Sequence, residues 1–394
     1  MEPKPPSYKR PEKPRIIWEG SQFVHHSLAL VNRELCLQLI DKGCEVSIIP
    51  YEADQYGSDA DTRFGALASR IRAPMSGPPD IHVRHQWPPN FTPPPKGRWV
   101  MIQPWEFGRL PEAWVEPMST LVDELWVPSR HVLKTYVSSG IPADRVQVVP
   151  NGVNTRVFHP GAPPLPLRTN KSFKFLFVGG TIWRKGIDLL IQAYFSTFSA
   201  ADNVALVIKD MGQDSFYRQQ GAGDSIRDIQ NSGKGPEILY LTEMLREHQM
   251  PGLFAACDCL VHPYRGEGFG LPILEAMACG LPVVATAGGA SDDFCPPDLC
   301  YGISARRREI DVEGTRVVGG AGWVLEPNLE ELKRLLRHVY ENRDETASRA
   351  RRAVDLVSAH YTWENAARQA LRRMEIIAAR PIRREQKTHG IVSG

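Results

Sequence analysis

The stretch HPYRGEGFGLPILEAMACGLPVVATAGG, residues 262 to 289, decides the fold. A short apolar run at 259 to 261 precedes it. A glycine-rich turn at 266 to 270 then gives way to an apolar, helix-forming run at 272 to 279. Pro272 suits the first turn of a helix and Gly280 suits its stop. A second apolar run at 283 to 286 follows the Gly-Leu-Pro turn. The order strand, glycine loop, helix, strand predicts a βαβ unit in a parallel sheet. Where a glycine loop opens a helix, backbone N–H groups point outward and the helix dipole favours an anion by about 0.3–2 kcal/mol. Glu267 and Glu275, eight positions apart, repel a phosphate but suit hydroxyls flanking one. A phosphate with hydroxyl-bearing groups on both sides describes a nucleotide sugar.

The rest of the chain narrows the class. At 394 residues it is long for one core, so two domains are expected. Hydrophobic and charged fractions of 42% and 23% are those of a globular protein, and a net charge of +2 gives no global signal for nucleic acid. No run of about 18 apolar residues predicts a membrane span. The basic, proline-rich N-terminus lacks the apolar centre of a signal peptide. Seven scattered cysteines are unlike a disulfide framework and predict a reducing, cytoplasmic compartment.

Working outward, residues 1 to 14 read as a disordered arm. Apolar strands near 15–18, 45–49, 80–84, 99–103, 125–127 and 146–149 follow, with the clearest helices at 28–42 and 129–138. The proline-rich run HPGAPPLP at 159 to 166 marks a linker, and the break is set at 161 to 171. The pattern then restarts, with strands near 173–178, 204–209 and 238–241 and helices at 186–198 and 250–256. Residues 304 to 320 read as an irregular arginine-rich insert, and helices at 328–342, 348–360 and 362–379 end the fold. The expected domains are 15–160 and 172–360, a helix at 361–379 packing back on the first, and a flexible tail at 380–394. That is α/β: two doubly wound Rossmann-like domains facing an interdomain cleft.

The run E-G-F-G-L-P-I-L-E-A-M-A-C-G-L-P-V-V-A-T resembles the E-x7-E signature of the retaining GT-B glycosyltransferases of family 4. The resemblance implies Glu275 at the nucleotide ribose and Glu267 at the donor sugar hydroxyls. It also implies the backbone amides of Gly268, Phe269, Gly270 and Leu271 at the sugar and diphosphate. A second loop, GGTIWRKG at 179 to 186, follows a buried strand and ends in two cations and a glycine. An arginine fork and a lysine point charge can clamp a diphosphate and stabilise its charge as it departs. The loop is not a Walker A motif. It resembles the family's G-R-x-x-x-x-K-G element, in which Gly179, Gly180 and Thr181 would line the phosphates. Lys185 carries over; the arginine usual after the first glycine is Gly180 here, and Arg184 is the substitute nearest to hand.

The segment VPSRHVLKTYVSSGIPADRVQVVPNGVNTRVFHP, 127 to 160, resembles the family's lead into its interdomain linker, and the nucleobase pocket would fall near Leu241 and Thr242. In the first half, the acceptor-side domain by this resemblance, His85 of DIHVRHQWPP matches a histidine the family places near the reacting centre. Gly20 falls where the family brings a glycine loop to the donor, although the usual second glycine is Ser21. Gln103-Pro104-Trp105-Glu106 would face the same cleft, and Trp87 and Trp105 would either stack on a sugar or fill core.

Plainer alternatives stand beside these. Acids are common in first helical turns, Asn151-Gly152 suits any tight turn, and His82 and His85 can be structural. Asp59-Ala60-Asp61 has no strand before it to make a metal site, and Cys257-Asp258-Cys259 lacks a second ligand pair. Basic residues between 368 and 387 form a weak candidate contact for an anionic membrane surface, diluted by Glu375 and Glu385. The expectation is a retaining, metal-independent hexosyltransferase without a cofactor. It would move a sugar from a UDP-, GDP- or other nucleoside diphosphate donor to a hydroxyl on a saccharide, a lipid-linked or a small-molecule acceptor. One alternative is a non-catalytic nucleotide-sugar-binding or partner subunit of the same fold. Another is a Rossmann-type oxidoreductase, whose G-x-G-x-x-G Glu19-Gly20-Ser21-Gln22 does not supply.

Overall fold

A computed structural model describes residues 13–211, 221–245, 249–312 and 314–384. The arm expected at 1 to 14 and the tail expected at 380 to 394 fall mostly outside these residues. Two six-stranded parallel sheets carry the fold. The first holds β1 (Arg15–Glu19), β2 (Glu45–Ile49), β3 (Ile81–Arg84), β4 (Arg98–Ile102), β5 (Glu124–Val127) and β6 (Val146–Val148), in the order β2-β1-β3-β4-β5-β6. Its helices are α1 (Ser27–Asp41), α2 (Phe64–Ala68), α3 (Glu112–Thr120) and α4 (Arg130–Ser138).

The second sheet holds β7 (Phe173–Gly179), β8 (Val204–Asp210), β9 (Glu237–Leu241), β10 (Cys259–His262), β11 (Val283–Thr286) and β12 (Tyr301–Ile303), in the order β12-β11-β10-β7-β8-β9. Helices α5 (Ile187–Thr197), α6 (Gly223–Ser232), α7 (Met250–Ala255) and α8 (Leu271–Ala278) connect these strands. A hairpin of β13 (Ala305–Ile310) and β14 (Gly322–Pro327) follows, then α9 (Leu329–Glu341), α10 (Arg343–His360) and α11 (Trp363–Ala378).

Both strand orders reverse direction once, at β1/β3 and at β7/β10. In open parallel sheets a ligand lies beyond the strands' carboxyl ends at such a switch point. The loops leaving β7 and β10 are GGTIWRKG and HPYRGEGFG; those leaving β1 and β3 begin at Gly20 and His85. The topology therefore sets the sequence-derived loops at the two places where this fold binds ligands.

Local chemistry explains the elements. Strand β7, FKFLFVG, is buried at every position but Lys174, as a strand covered on both faces should be. Helix α9 buries Leu332, Leu335, Leu336 and Val339 on one face. Asn328 caps it by accepting from the amides of Glu330 (3.0 Å) and Glu331 (3.1 Å). Its buried face joins Phe173, Phe175, Tyr194 and Phe198 in the core of the second sheet. Among the described residues no helix is long and apolar enough to cross a membrane, and all seven cysteines are free thiols.

Contacts divide the chain into two compact units. One comprises Met1–Gln103, Glu116–Trp126 and Ala367–Gly394; the other comprises Pro104–Val115 and Val127–Ala366. The second unit thus takes in the segment that runs from after β4 into the start of α3, as well as residues 127 to 160, which the sequence pattern groups with the first half. Residues 304 to 320 also differ from expectation. In place of an irregular insert they begin an antiparallel pair, Ala305↔Pro327 through Ile310↔Gly322. Cross-strand partners stabilise it: Arg307 lies 4.2 Å over the Trp323 ring and Arg308 meets Glu326 at 2.9 Å. An arginine run looks polar and aperiodic until its partners, 15 or more residues on, are known.

Within the first unit, α11 is anchored by charge. Glu124 is fully buried on β5, where it accepts from the Trp126 indole (2.9 Å) and from Arg373 (Nε, 3.0 Å). Replacing Arg373 with Met strands that carboxylate, so chemical denaturation should show a loss of about 3–5 kcal/mol. A Glu124→Gln/Arg373→Met pair should recover most of it.

Candidate functional site

The loop after β7 and the loop after β10 meet in the second unit. Arg184 and Lys185 lie in a short 3-10 turn, Trp183–Lys185, not in the first turn of α5. Gly186 closes that turn at φ +75°, in contact with Pro263: a β-carbon here would stand 1.9 Å from the Pro263 carbonyl oxygen. The last glycine of GGTIWRKG is therefore required by the approach of the two loops. Arg184 laces them together further. Its carbonyl accepts from the Arg265 amide (2.8 Å), its Nη1 donates to the Gly266 carbonyl (2.6 Å), and its Nη2 lies 3.4 Å from Glu106 Oε1.

Lys185 reaches Glu267, and the two form a tight ion pair. Glu267 Oε1 also meets His262 Nε2 at 3.2 Å. His262, the last residue of β10, is wholly buried and stacks on Phe177, with 5.5 Å between ring centroids and 17° between planes. Burial holds its imidazole below the ordinary value against the pull of Glu267. The neutral ring then presents Nε2–H to the carboxylate, and Nδ1 is buried with no hydrogen-bond partner among the described residues. Burial alone would raise the Glu267 carboxyl, but Lys185, His262 and Arg184 override it and hold it well below the usual carboxylate range. The site is an ionised carboxylate fixed from two sides, at the head of a helix.

The other expected residues divide into groups. Gly268 lies against Pro104, and its carbonyl accepts from Ser129 Oγ (2.9 Å), the hydroxyl that also caps α4. Phe269 is buried against Phe294 at 4.9 Å, and Gly270 and Leu271 begin α8. Glu275 is half-buried one turn along that helix. Gly179 ends β7 and Gly180 follows it, and their carbonyls accept from the amides of Met211 (3.1 Å) and Ile182 (2.8 Å). Thr181 is buried, with its hydroxyl on Asp210 Oδ2 (3.1 Å) and its carbonyl accepting from the Ala222 amide (2.8 Å). Leu241 ends β9 with Thr242 after it, both half-buried.

Gly20 and His85 belong to the first unit and touch each other: a β-carbon on Gly20 would stand 2.5 Å from the His85 carbonyl oxygen. His85 Nδ1 meets Asn32 Oδ1 at 2.8 Å, and burial, with His26, pushes its imidazole down to about 3. That oxygen also accepts from the Trp18 indole (2.9 Å), so Nδ1 carries the proton and Nε2 keeps a lone pair. His82, by contrast, is tied to Glu19 at 2.9 Å inside the sheet. Trp105 is buried against Trp114 at 4.9 Å and fills core, while Trp87 is 36% exposed.

His262 escapes a reading of the sequence, and Glu106, expected to face the cleft, carries no sign of its contact with Arg184. His262 is the first letter of the opening stretch, yet a histidine ending a strand carries no motif. Glu106 lies about 80 residues from Arg184 in the chain, and only the tertiary structure joins them.

The sign of the Glu267 shift sets a pH dependence. A carboxyl whose folded value lies below its ordinary 4.5 adds stability at higher pH and loses it as pH falls below 4.5. In denaturation series from pH 7 to 3, Glu267→Gln should be less stable at neutral pH. The gap to the parent should narrow below about pH 4.5. A constant gap would contradict the ion pair.

Two family models match the chain: one described as Glycosyl transferases group 1 over residues 172–296, the other as Glycosyltransferase Family 4 over residues 59–157. The alpha-maltose-1-phosphate synthase of Mycolicibacterium smegmatis is 25% identical over 244 residues, 58% of each chain. A GDP-mannose-dependent monoacylated alpha-(1-6)-phosphatidylinositol monomannoside mannosyltransferase of Corynebacterium glutamicum is 28% identical over 194 residues, 45% of this chain and 48% of that one. The chain thus spans about half the length of these curated relatives. Among solved structures, Anabaena HepE in complex with UDP and glucose superposes with a TM-score of 0.65 at 15% identity, over 92% of this chain and 99% of that one. The fold is GT-B, with two Rossmann-like domains. In both halves the chain resembles the group 1 glycosyltransferases of family 4.

Proposed function

We propose that the protein is a glycosyltransferase that takes a sugar from a nucleoside diphosphate donor and passes it to a hydroxyl acceptor with retention at the anomeric carbon. The observation that carries this is the Lys185–Glu267–His262 arrangement at the switch point of the second sheet, with the glycine loop opening α8 beside it. Each part has a task. The head of α8 and Lys185 take the diphosphate and the charge that grows on it as the glycosidic bond breaks. Glu267, ionised and fixed by His262, accepts hydrogen bonds from sugar hydroxyls, and Glu275 on the same helix accepts from the ribose. In the retaining reaction the departing phosphate oxygen takes the acceptor's proton, so no strong protein base is needed.

The relatives support a nucleotide sugar and leave its identity open, since one is bound to UDP and glucose and another is dependent on GDP-mannose. Among the described residues no cluster of His, Cys, Asp or Glu could hold a metal ion. The leaving-group charge is assigned to Lys185 and the head of α8, which lie beside the glycine loop.

A second reading, a nucleotide-sugar-binding protein without turnover, has one observation in its favour. Gly180 stands where the family has an arginine, and the Arg184 guanidinium is already held by Gly266 and Glu106. The two readings part in one set of assays. The protein should be stabilised by one of UDP-glucose and GDP-mannose and should release its nucleotide. Lys185→Ala should cut that release by about 10²–10³-fold, the range for losing one charge-stabilising donor. Binding without release would favour the second reading. The product's anomeric proton coupling should show the donor's own configuration, and EDTA should leave the rate unchanged.

A further inference from the structure

The β13–β14 hairpin has no part in the function so far, yet it grips one segment at several points. Gly108 N donates to the Trp323 carbonyl (2.8 Å), Glu112 N to the Arg316 carbonyl (2.9 Å), and Val318 N to the Leu110 carbonyl (2.9 Å). Pro111 and Val317 form an antiparallel bridge between the same two stretches. Packing makes the grip specific. The Trp323 indole lies directly on Gly108, where a β-carbon would stand 1.8 Å from a ring carbon. The hairpin is fastened in turn to the site, because Leu325 N donates to the Arg265 carbonyl (2.9 Å).

What the hairpin holds is the segment from Pro104 to Glu112, and that segment lies on the glycine loop. The Glu106 carbonyl touches Gly266, where a β-carbon would be 2.4 Å from it. Pro104 Cβ would be 3.4 Å from a β-carbon on Gly268. The Glu106 side chain is 29% exposed, with its carboxylate 3.4 Å from Arg184 Nη2. These contacts fall on Gly266 and Gly268, the residues on either side of Glu267.

We propose that the hairpin is a strap that makes Pro104–Glu106 a wall of the donor-sugar subsite, and that Glu106 is a further carboxylate reading sugar hydroxyls there. The inference rests on the nucleotide-sugar reading above. A carboxylate repels the diphosphate, and beside the residues that flank Glu267 the donors it would meet are the hydroxyls of the sugar. Arg184 holds it in place from behind, and the strap keeps the segment from drifting off the loop. Nucleotide and sugar are thereby recognised by separable parts: the head of α8 and Glu275 for one, Glu267 and Glu106 for the other.

Calorimetric titrations of the full chain with UDP, UDP-glucose, GDP and GDP-mannose test this. Glu106→Gln and Trp323→Ala should weaken whichever nucleotide sugar binds by about tenfold, as for losing one hydrogen bond to a charged group. The Kd of the matching nucleoside diphosphate should stay within about twofold, and Trp323→Phe should restore sugar binding. Equal weakening of both ligands, or of neither, would overturn the proposal. Glu106→Gln keeps the side chain's shape and decides the matter if Trp323→Ala does not fold. If the parent protein binds none of the four ligands, the nucleotide-sugar reading itself fails, which is a different result.

Discussion

A buried carboxylate that must stay ionised is the constraint on which this site depends. Glu267 is only 7% exposed, and leaving such a group charged and alone costs several kcal/mol. Lys185 supplies the opposite charge and His262 a hydrogen bond, so the loops after β7 and β10 have to meet. Much else follows from that meeting. Gly186 admits the Pro263 carbonyl, Arg184 ties the two loops through Gly266, and His262 stays neutral because it is sealed against Phe177. Lys185 is partnered within the protein, and an arriving diphosphate would share or displace that partner.

A strand order with one reversal explains why these loops are the ones used. The second sheet places β7 and β10 side by side, although 79 residues separate Gly179 from Cys259 at their facing boundaries in sequence. Both loops leave the carboxyl ends of adjacent strands, so one side chain from each suffices to bring a cation and an anion together. The first sheet repeats the device at β1/β3, where Gly20 and His85 touch.

The legible part of this protein was the part with local cause. The glycine turn before Pro272, the caps at Ser129 and Asn328, and the buried run at β7 each announce themselves within a few residues, and the structure has them there. Lys185 and Glu267 were legible as separate chemical needs, a cation and a carboxylate beside one phosphate loop. Their mutual pairing was not. The hairpin was invisible because the partners of Arg307 and Arg308, Trp323 and Glu326, stand 16 and 18 positions away across a polar stretch. Glu106 was expected to face the cleft along with Gln103, Pro104 and Trp105, but nothing in its neighbourhood signals the arginine it meets. His262 had no signal beyond its place at the end of a buried strand; a polar residue there, in a run otherwise apolar, is the hint that could have found it.

The central claim is that Lys185, Glu267 and the head of α8 form a donor site in which charge and hydroxyl recognition are separated along one loop. A crystal structure with a bound nucleotide sugar tests it most directly. The account predicts the diphosphate between Lys185 Nζ and the start of α8, with sugar hydroxyls on Glu267 and the ribose on Glu275. A nucleotide sugar bound elsewhere, with the Lys185–Glu267 pair undisturbed and solvent at the head of α8, would contradict it.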